Sequence, residues 1–518
     1  MKKFESQLLD VGEILLATNG EIVAGYKDSS ISHVAIDSRE VLLGSLFVAL
    51  LGQSLDGHNF IEDALKKGAG VVLVDAEHAS KNEAQYCDFS KKYKQATFVR
   101  VDDTLKALQK LAAYYLYKVS IRVHIGVTGS SGKTTVKEMI ATIFEVAGYR
   151  TFKTKGNLNS CTGVPLSIFD IRGRGYDVAV FEVGMNRRGE IREITEVITP
   201  HIALVTNIGT AHIGMLGSRD AIATEKGEIF SQFTEQCLGV IPDCEFTQQL
   251  MDGKKGEFVI IDSDYLKRFE GSKSMGLEGC LLNYEGMEIH LHLLGAHNIY
   301  NAILAIAVAE KYSLIAKSHI TKSHIKEALE KIRAVSGRAE LKKGFATCIF
   351  DCYNANPASM QMALDLYEAM EWKGRKIAIL GSMLELGDES LAEHEKVCAK
   401  VSKSKSDAVF LMGEEMLQGF ASFANKCCVQ KNRTSGGGDG LGQRFLEFPN
   451  SHFEVEGTEY FCYRDDEMVR LKEDVRQKVR RGDFVLLKAS HGLHFERLEE
   501  VLIGATVVSD DTALGLDG

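Results

Sequence analysis

The chain lacks an excess of positive charge, a long apolar run and any cysteine pair at metal-ligand spacing, and each absence removes a class of function. Its 518 residues carry 61 lysines and arginines against 71 aspartates and glutamates, a formal net charge of -10. Binding a polyanion by counterion release needs a basic face, so a general nucleic-acid binder is excluded. No stretch approaches the roughly 20 apolar residues of a membrane span. The first ten residues hold two lysines with no apolar run behind them, so no secretory signal is expected. The eleven cysteines are scattered, no Cys-x-x-Cys occurs, and the adjacent Cys427 and Cys428 lack ligand spacing. Reduced thiols in a cytoplasmic protein are the reading that follows. No fixed-period repeat is present, which excludes a solenoid.

What is there is ordinary globular material. Hydrophobic residues make up 45% and charged residues 25%, and the length suggests roughly two to four domains. Residues 1–103 mix short apolar runs with turn signals. Strands are expected at 34–38, 46–51 and 71–75, with a helix at 60–67, giving a small α/β domain. An amphipathic helix at 104–119 leads into strands at 123–127, 177–182 and 202–207. That alternation predicts a mainly parallel sheet covered on both faces, over residues 104–335. Residues 336–518 repeat it, with strands at 346–351, 376–381, 408–412 and 484–488, a Rossmann-like unit. The fold class is therefore α/β in three domains. A glycine-rich stretch at 435–442 predicts a flexible insertion near 430–460, and the tail after 504 lacks helical periodicity.

The sharpest local signal is Thr128-Gly129-Ser130-Ser131-Gly132-Lys133-Thr134-Thr135, between a strand and a helix. Glycines let the backbone aim its N–H groups at phosphate oxygens, the helix N-terminus adds positive potential, and Lys133 can reach the β and γ phosphates. The usual spacing would put a glycine at Val127, whereas Gly126 comes one position early. A loop of this kind specifies a nucleoside triphosphate and leaves motor, GTPase, kinase and ligase open.

Further motifs narrow the choice. In order they are Gly156-Asn157-Leu158-Asn159-Ser160, Phe181-Glu182-Val183-Gly184, Thr206-Asn207-Ile208-Gly209-Thr210-Ala211-His212, Thr224-Glu225-Lys226-Gly227-Glu228, Gly295-Ala296-His297-Asn298-Ile299-Tyr300-Asn301 and Gly337-Arg338-Ala339-Glu340. Their order and spacing resemble the Mur ligases over nearly the whole chain. The resemblance implies ATP and Mg²⁺, with the metal held by Thr134, Glu182, His212 and a carbamylated Lys226, and with Lys133, Lys226, His212 and Arg338 as catalytic groups. Read alone, Lys226 is a surface lysine on a helix at 221–230, and His212 is a histidine at a strand end. Asn298 and Asn301 sit three apart on one helix face. Their amides suit an adenine edge, though a solvated polar face would look the same. His297 is expected to frame that pocket, Arg338 to swing toward the phosphates, and Asp351 to meet the ribose.

The segment Asp37-Ser38-Arg39, Phe47-Val48-Ala49-Leu50 and Asp56-Gly57-His58 resembles the uridine-nucleotide domain of the family. Ser38 and Arg39 are expected diphosphate or uridine contacts, with a turn and its ion pair as the alternative. Asn157 and Asn159 are further substrate candidates. Residues 351–360, Asp351-Cys352-Tyr353-Asn354-Ala355-Asn356-Pro357-Ala358-Ser359-Met360, resemble the branch that joins D-alanyl-D-alanine to UDP-N-acetylmuramoyl-tripeptide through an acyl phosphate. Met383-Leu384-Glu385-Leu386-Gly387 supports that branch. The alternative branch, which adds a diamino acid to the dipeptide, carries an Asp-Asn-Pro-Arg motif that is absent here. Asn354 and Asn356 are then expected to position the incoming dipeptide. Phe350, Ser382 and His491 depart from the family pattern. A cytoplasmic monomer acting on small-molecule substrates, with neither nucleic acid nor membrane as partner, is expected.

Overall fold

The apolar runs become strands with both faces covered. Val178–Glu182, Ile202–Val205 and Leu238–Pro242 are buried at every residue, as a sheet packed between two helical layers requires. In the computed structural model the chain is described over residues 7–504, except 53–54, 94–95, 174, 317–318, 433–451 and 456. The expected tail after 504 and the glycine-rich stretch at 435–442 lie outside the described residues. The flanks of that insertion do not form a loop. Thr458–Tyr463 and His452–Val455 pair as an antiparallel edge.

Three sheets organise three domains, an α/β architecture as expected. The first has five strands in the order Glu21–Ala24, Thr97–Val101, Ala69–Asp75, Ser45–Val48, His33–Ala35. The second has six, Glu257–Ile261, Leu238–Pro242, Ile202–Val205, Val123–Thr128, Val178–Glu182, Thr151–Lys153, every pair parallel. The third has seven, Glu340–Lys343, Thr347–Asp351, Phe484–Lys488, Lys376–Gly381, Ala408–Met412, Thr458–Tyr463, His452–Val455, parallel except at its two edges.

Register in these sheets sets what can meet. In the second, Glu182 pairs with Val127 and Val205 with Thr128. The carboxyl ends of three adjacent strands therefore deliver Glu182, the phosphate loop and Thr206-Asn207 to one edge, where open parallel sheets bind ligands. In the third, Asp351 pairs with Lys488.

Some elements lie outside the sequence expectation and one differs from it. A small antiparallel sheet of Lys273–Ser274, Cys280–Tyr284 and Met287–Leu291 precedes the helix His297–Ala316. Its hairpin turns at Glu285 and Gly286, with φ of 49° and 85°, the backbone of a tight two-residue turn. The helix expected at 221–230 is an α-helix only over Arg219–Gly227 and tightens to a 3-10 turn at Glu228–Phe230.

The helix Thr104–Val119 holds the first two domains together. Asp103 caps it by accepting the Lys106 N–H at 2.8 Å, and Ser120 ends it in the left-handed region. Its buried Leu108, Leu111 and Ala112 share one core with Leu46, Val48, Val71 and Leu73 of the first sheet and with Val164, Ile168 and Ile191 of the second domain. Leu111→Ala should therefore loosen both domains, with a stability loss of about 2–5 kcal/mol in urea unfolding. A loss below about 1 kcal/mol would contradict this shared core.

Candidate active site

The phosphate loop is shaped by what presses against it. Gly129 has φ of 149°, and a Cβ there would stand 1.8 Å from Thr206 Oγ1. Gly132 has φ of 79°, and a Cβ would meet Asn301 Oδ1 at 2.6 Å. Only glycine fits either position. Asn207 braces the loop from the neighbouring strand, its Oδ1 accepting the Ser131 N–H at 3.1 Å and its amide donating to Ser131 Oγ at 3.0 Å. The helix Lys133–Val146 begins at Gly132, which offers no capping side chain. Its first N–H groups are left to an anion. Lys133 folds back to donate to Gly129 O at 2.8 Å.

Glu182 forms the floor and is 2% exposed. Its Oε2 accepts the Thr134 hydroxyl at 2.8 Å and its Oε1 the Asn159 amide at 2.9 Å. The ammonium of Lys137, itself 1% exposed, lies 3.8 Å from Oε2 and donates to Thr154 O at 2.8 Å. Lys137 was missed in the sequence. Its signal was the four-residue step from Lys133, which puts both lysines on one helix face. Lys226 is not the surface lysine that its helix alone suggests, being 1% exposed. Burial first, then repulsion from Lys133, pushes its pKa well below that of an ordinary lysine, with Glu225 opposing. No hydrogen bond to its ammonium is found among the described residues. His212 sits at φ of 65°. Its Nδ1 lies 2.9 Å from Glu385 Oε2, and this contact holds the Glu385 carboxyl below its ordinary range.

The third domain supplies the opposite wall. The Arg338 guanidinium stacks on Tyr353 with its carbon 4.0 Å from the ring centroid, and its buried Nε has no partner. His491 meets the same ring edge-on at 5.8 Å, so this departure from the family pattern buttresses the stack. Arg338 is close enough to Lys133 to reinforce the lowering of its pKa that burial begins, while Glu182 opposes. Lys488, nearly fully buried, pairs with Asp351 Oδ2 at 2.8 Å and donates to Asn354 O at 2.6 Å. Asp351 Oδ1 accepts the Ala339 N–H at 3.3 Å. Asn356 caps the helix Pro357–Ala369 by accepting the Ser359 N–H at 2.9 Å. Asn354 Oδ1 accepts the Ala355 N–H at 2.8 Å. Each asparagine thus spends its oxygen on backbone and keeps its amide nitrogen.

A cleft of about 510 Å³ runs between these walls. Ser130 through Thr135, Asn157, Asn159, Glu182, His212, His297, Asn298, Asn301, Arg338, Asp351, Asn354 and Asn356 all line it, and so do Glu385 and Lys488. Asn298 and Asn301 do not form a solvated face, since each is 5% exposed. The Asn298 amide donates to Leu294 O at 2.8 Å and its Oδ1 accepts from Asn301 at 2.9 Å. Much of their capacity is therefore spent within the start of the helix, with Asn301 Oδ1 packed close to Gly132 of the phosphate loop. Burial holds the His297 pKa below its ordinary value, with Asp351 opposing. Thr128, the last residue of its strand, and Gly129 do not line the cleft. Ser38 and Arg39 do not line the cleft either. Arg39 is paired with Asp37 at 2.6 Å in an exposed turn, and this ion pair holds the Asp37 carboxyl down at about 2.

Comparison with known proteins bears on this arrangement. Three sequence profiles match in order: the Mur ligase family catalytic domain at residues 30–116, the Mur ligase middle domain at 127–309 and the Mur ligase glutamate ligase domain at 337–435. The UDP-N-acetylmuramoyl-tripeptide--D-alanyl-D-alanine ligase of Treponema pallidum is 36% identical, covering 96% of this chain and 99% of that one. The Bacillus subtilis protein of the same name is 34% identical over 92% and 94%. The crystal structure of MurF from Acinetobacter baumannii superposes with a TM-score of 0.74 at 25% identity, covering 97% of this chain and all of that one. Similarity of this extent through all three domains makes the chain a member of the Mur ligase family, of the MurF type.

Proposed function

We propose that the protein joins D-alanyl-D-alanine to UDP-N-acetylmuramoyl-tripeptide, converting ATP to ADP and phosphate through an acyl phosphate. The observation that carries this reading is the convergence of Lys133 and Arg338, from different domains, on one cleft. Two half-buried cations facing one cleft need an anion between them. The reaction supplies one, because the tripeptide carboxylate must approach the γ-phosphate of ATP.

Residues can be assigned to substrate binding and to phosphoryl transfer. The N–H groups at the start of the helix Lys133–Val146 and the Lys133 ammonium receive the phosphates. Arg338 neutralises the charge that builds as the carboxylate oxygen attacks phosphorus and ADP leaves. The dipeptide amine next attacks the acyl carbon and phosphate departs. Asn354 and Asn356 offer their amide nitrogens to the dipeptide, while Ser38, Arg39, Asn157 and Asn159 serve the UDP-linked substrate. His297, Asn298, Asn301 and Asp351 frame the nucleoside, with Lys488 fixing the Asp351 carboxylate. Closure of the third domain over the second excludes water from the acyl phosphate.

The donor set fits Mg²⁺. Glu182 and Thr134 offer hard oxygens, and His212 Nδ1, which faces the Glu385 carboxylate at 2.9 Å, offers a nitrogen. When bound, the metal offsets phosphate charge. Lys226 fits a carbamate for a separate reason. Burial and Lys133 favour its neutral amine, the form that adds CO₂ to become an anionic oxygen ligand. The protein is expected to work as a cytoplasmic monomer, and among the described residues no helix is long and apolar enough to cross a membrane.

Phosphate release should be measured with ATP and either the tripeptide substrate plus D-alanyl-D-alanine or the dipeptide substrate plus a diamino acid. Turnover with the first pair alone is expected, and turnover with the second alone would overturn the reading. Lys226→Ala should fold normally, since alanine suits a helix, and lose about 100-fold or more in kcat, as when a charge-stabilising group is removed. Formate or acetate should restore part of the rate by filling the carbamate position. Near-normal turnover of this variant at low Mg²⁺ would contradict the carbamate.

A further inference from the structure

Away from the cleft, the first domain gathers two imidazoles and two carboxylates in a box. His58 and His78 stack with centroids 3.8 Å apart and planes within 6°. Asp56 lies along one edge of the stack, its Oδ1 2.7 Å from His58 Nδ1 and its Oδ2 3.0 Å from His78 Nε2. Asp75 lies along the other edge, its Oδ2 2.8 Å from His78 Nδ1 and 3.3 Å from His58 Nε2. The Asp75 N–H also comes within 3.3 Å of His58 Nε2. The backbone imposes this placement. Asp56 caps the 3-10 turn Gly57–Phe60 and Asp75 caps the helix Ala76–Lys92, each accepting an N–H two or three residues on at 2.9 and 2.8 Å. Gly57 lets the turn press onto the strand end, where a Cβ would stand 2.7 Å from Leu50 N. Nothing in the ligase chemistry above uses this box, and none of its residues lines the cleft.

We propose that Asp56, His58 and His78 bind one divalent transition-metal ion of the zinc class. One ligand atom from each lies within 4.8 Å of the others. Two imidazole nitrogens with one carboxylate are the protein ligands of an open zinc site, whereas Mg²⁺ and Ca²⁺ favour all-oxygen sets. The far edge completes the pattern. A ligating histidine commonly gives its other N–H to a carboxylate, which fixes tautomer and orientation. Asp75 Oδ2 stands where it can accept from His78 Nδ1 at 2.8 Å, while the Asp75 backbone N–H donates to His58 Nε2. The ion would sit on the Asp56 edge, with both rings tilting out of parallel to aim their lone pairs at it. The His58 side chain is 4% exposed, but those of Asp56 and His78 are each 26% exposed, leaving room for entry and for a water as fourth ligand. The ion would tie the turn Gly57–Phe60 to the first turn of the helix Ala76–Lys92. By mass action it would raise the melting temperature of a domain that binds it only when folded.

The test uses the full chain, stripped with a chelator and dialysed free of nucleotide and Mg²⁺. Zn²⁺ is titrated against a chromophoric competitor, with His78→Gln and His58→Gln in parallel. The unmodified chain should bind one more tight Zn²⁺ than either variant, with a melting temperature that rises on loading, and excess Mg²⁺ should not displace that ion. Co²⁺ absorption of the unmodified chain gives a reading that needs no variant. Intense visible d–d bands of a four- or five-coordinate site, without thiolate charge transfer, are expected. Equal Zn²⁺ stoichiometry in the chain and both variants, or only the weak bands of six-coordinate Co²⁺, would overturn the proposal and leave a hydrogen-bonded histidine–aspartate box.

Discussion

Lys133 and Arg338 face one cleft from two domains, and the rest of the site follows from reconciling them. Burial lowers the Lys133 pKa and Arg338 lowers it further. The Arg338 guanidinium keeps an unpartnered Nε while stacked on Tyr353. Neither cation has an ion-pair partner among the described residues, and phosphate oxygens between them would neutralise both. The shape of the loop and the docking of the third domain are both arrangements that bring such an anion within reach.

A second layer holds the loop in that state. Thr206 and Asn207 press on it from the adjacent strand and Asn301 from the helix His297–Ala316. Glu182 balances Lys137 beneath it while taking hydrogen bonds from Thr134 and Asn159. Thr206, Asn301, Glu182, Lys137 and Thr134 are polar and almost fully buried, so each depends on its partner being present. A loop fixed this firmly loses little freedom when the nucleotide arrives, which favours binding.

Much of this was legible in the residues. The strands Lys376–Gly381, Ala408–Met412 and Phe484–Lys488 and the helix Thr104–Val119 have the bounds their periodicity predicts, because buried apolar runs between turn signals leave few alternatives. The phosphate loop was legible because its glycines have one use. The hairpin at Glu285-Gly286 was not, since glutamate is an uncommon first turn residue. Pairings between distant segments were not legible either. Nothing local marks Lys488 as the partner of Asp351, because only strand register joins them. The same holds for His78, whose place beside His58 depends on where two caps fall. The helix-cap role of Asn356 was hidden behind its place in a substrate motif.

Cations from two domains should share one anion. ATP affinity measured by calorimetry in the unmodified chain, Lys133→Ala, Arg338→Ala and the double variant tests it most directly. Groups that neutralise the same phosphates are coupled, so the double variant should differ from the sum of the two by about 1 kcal/mol or more. Additivity within about 0.5 kcal/mol would mean that the two cations act independently, and would contradict the account.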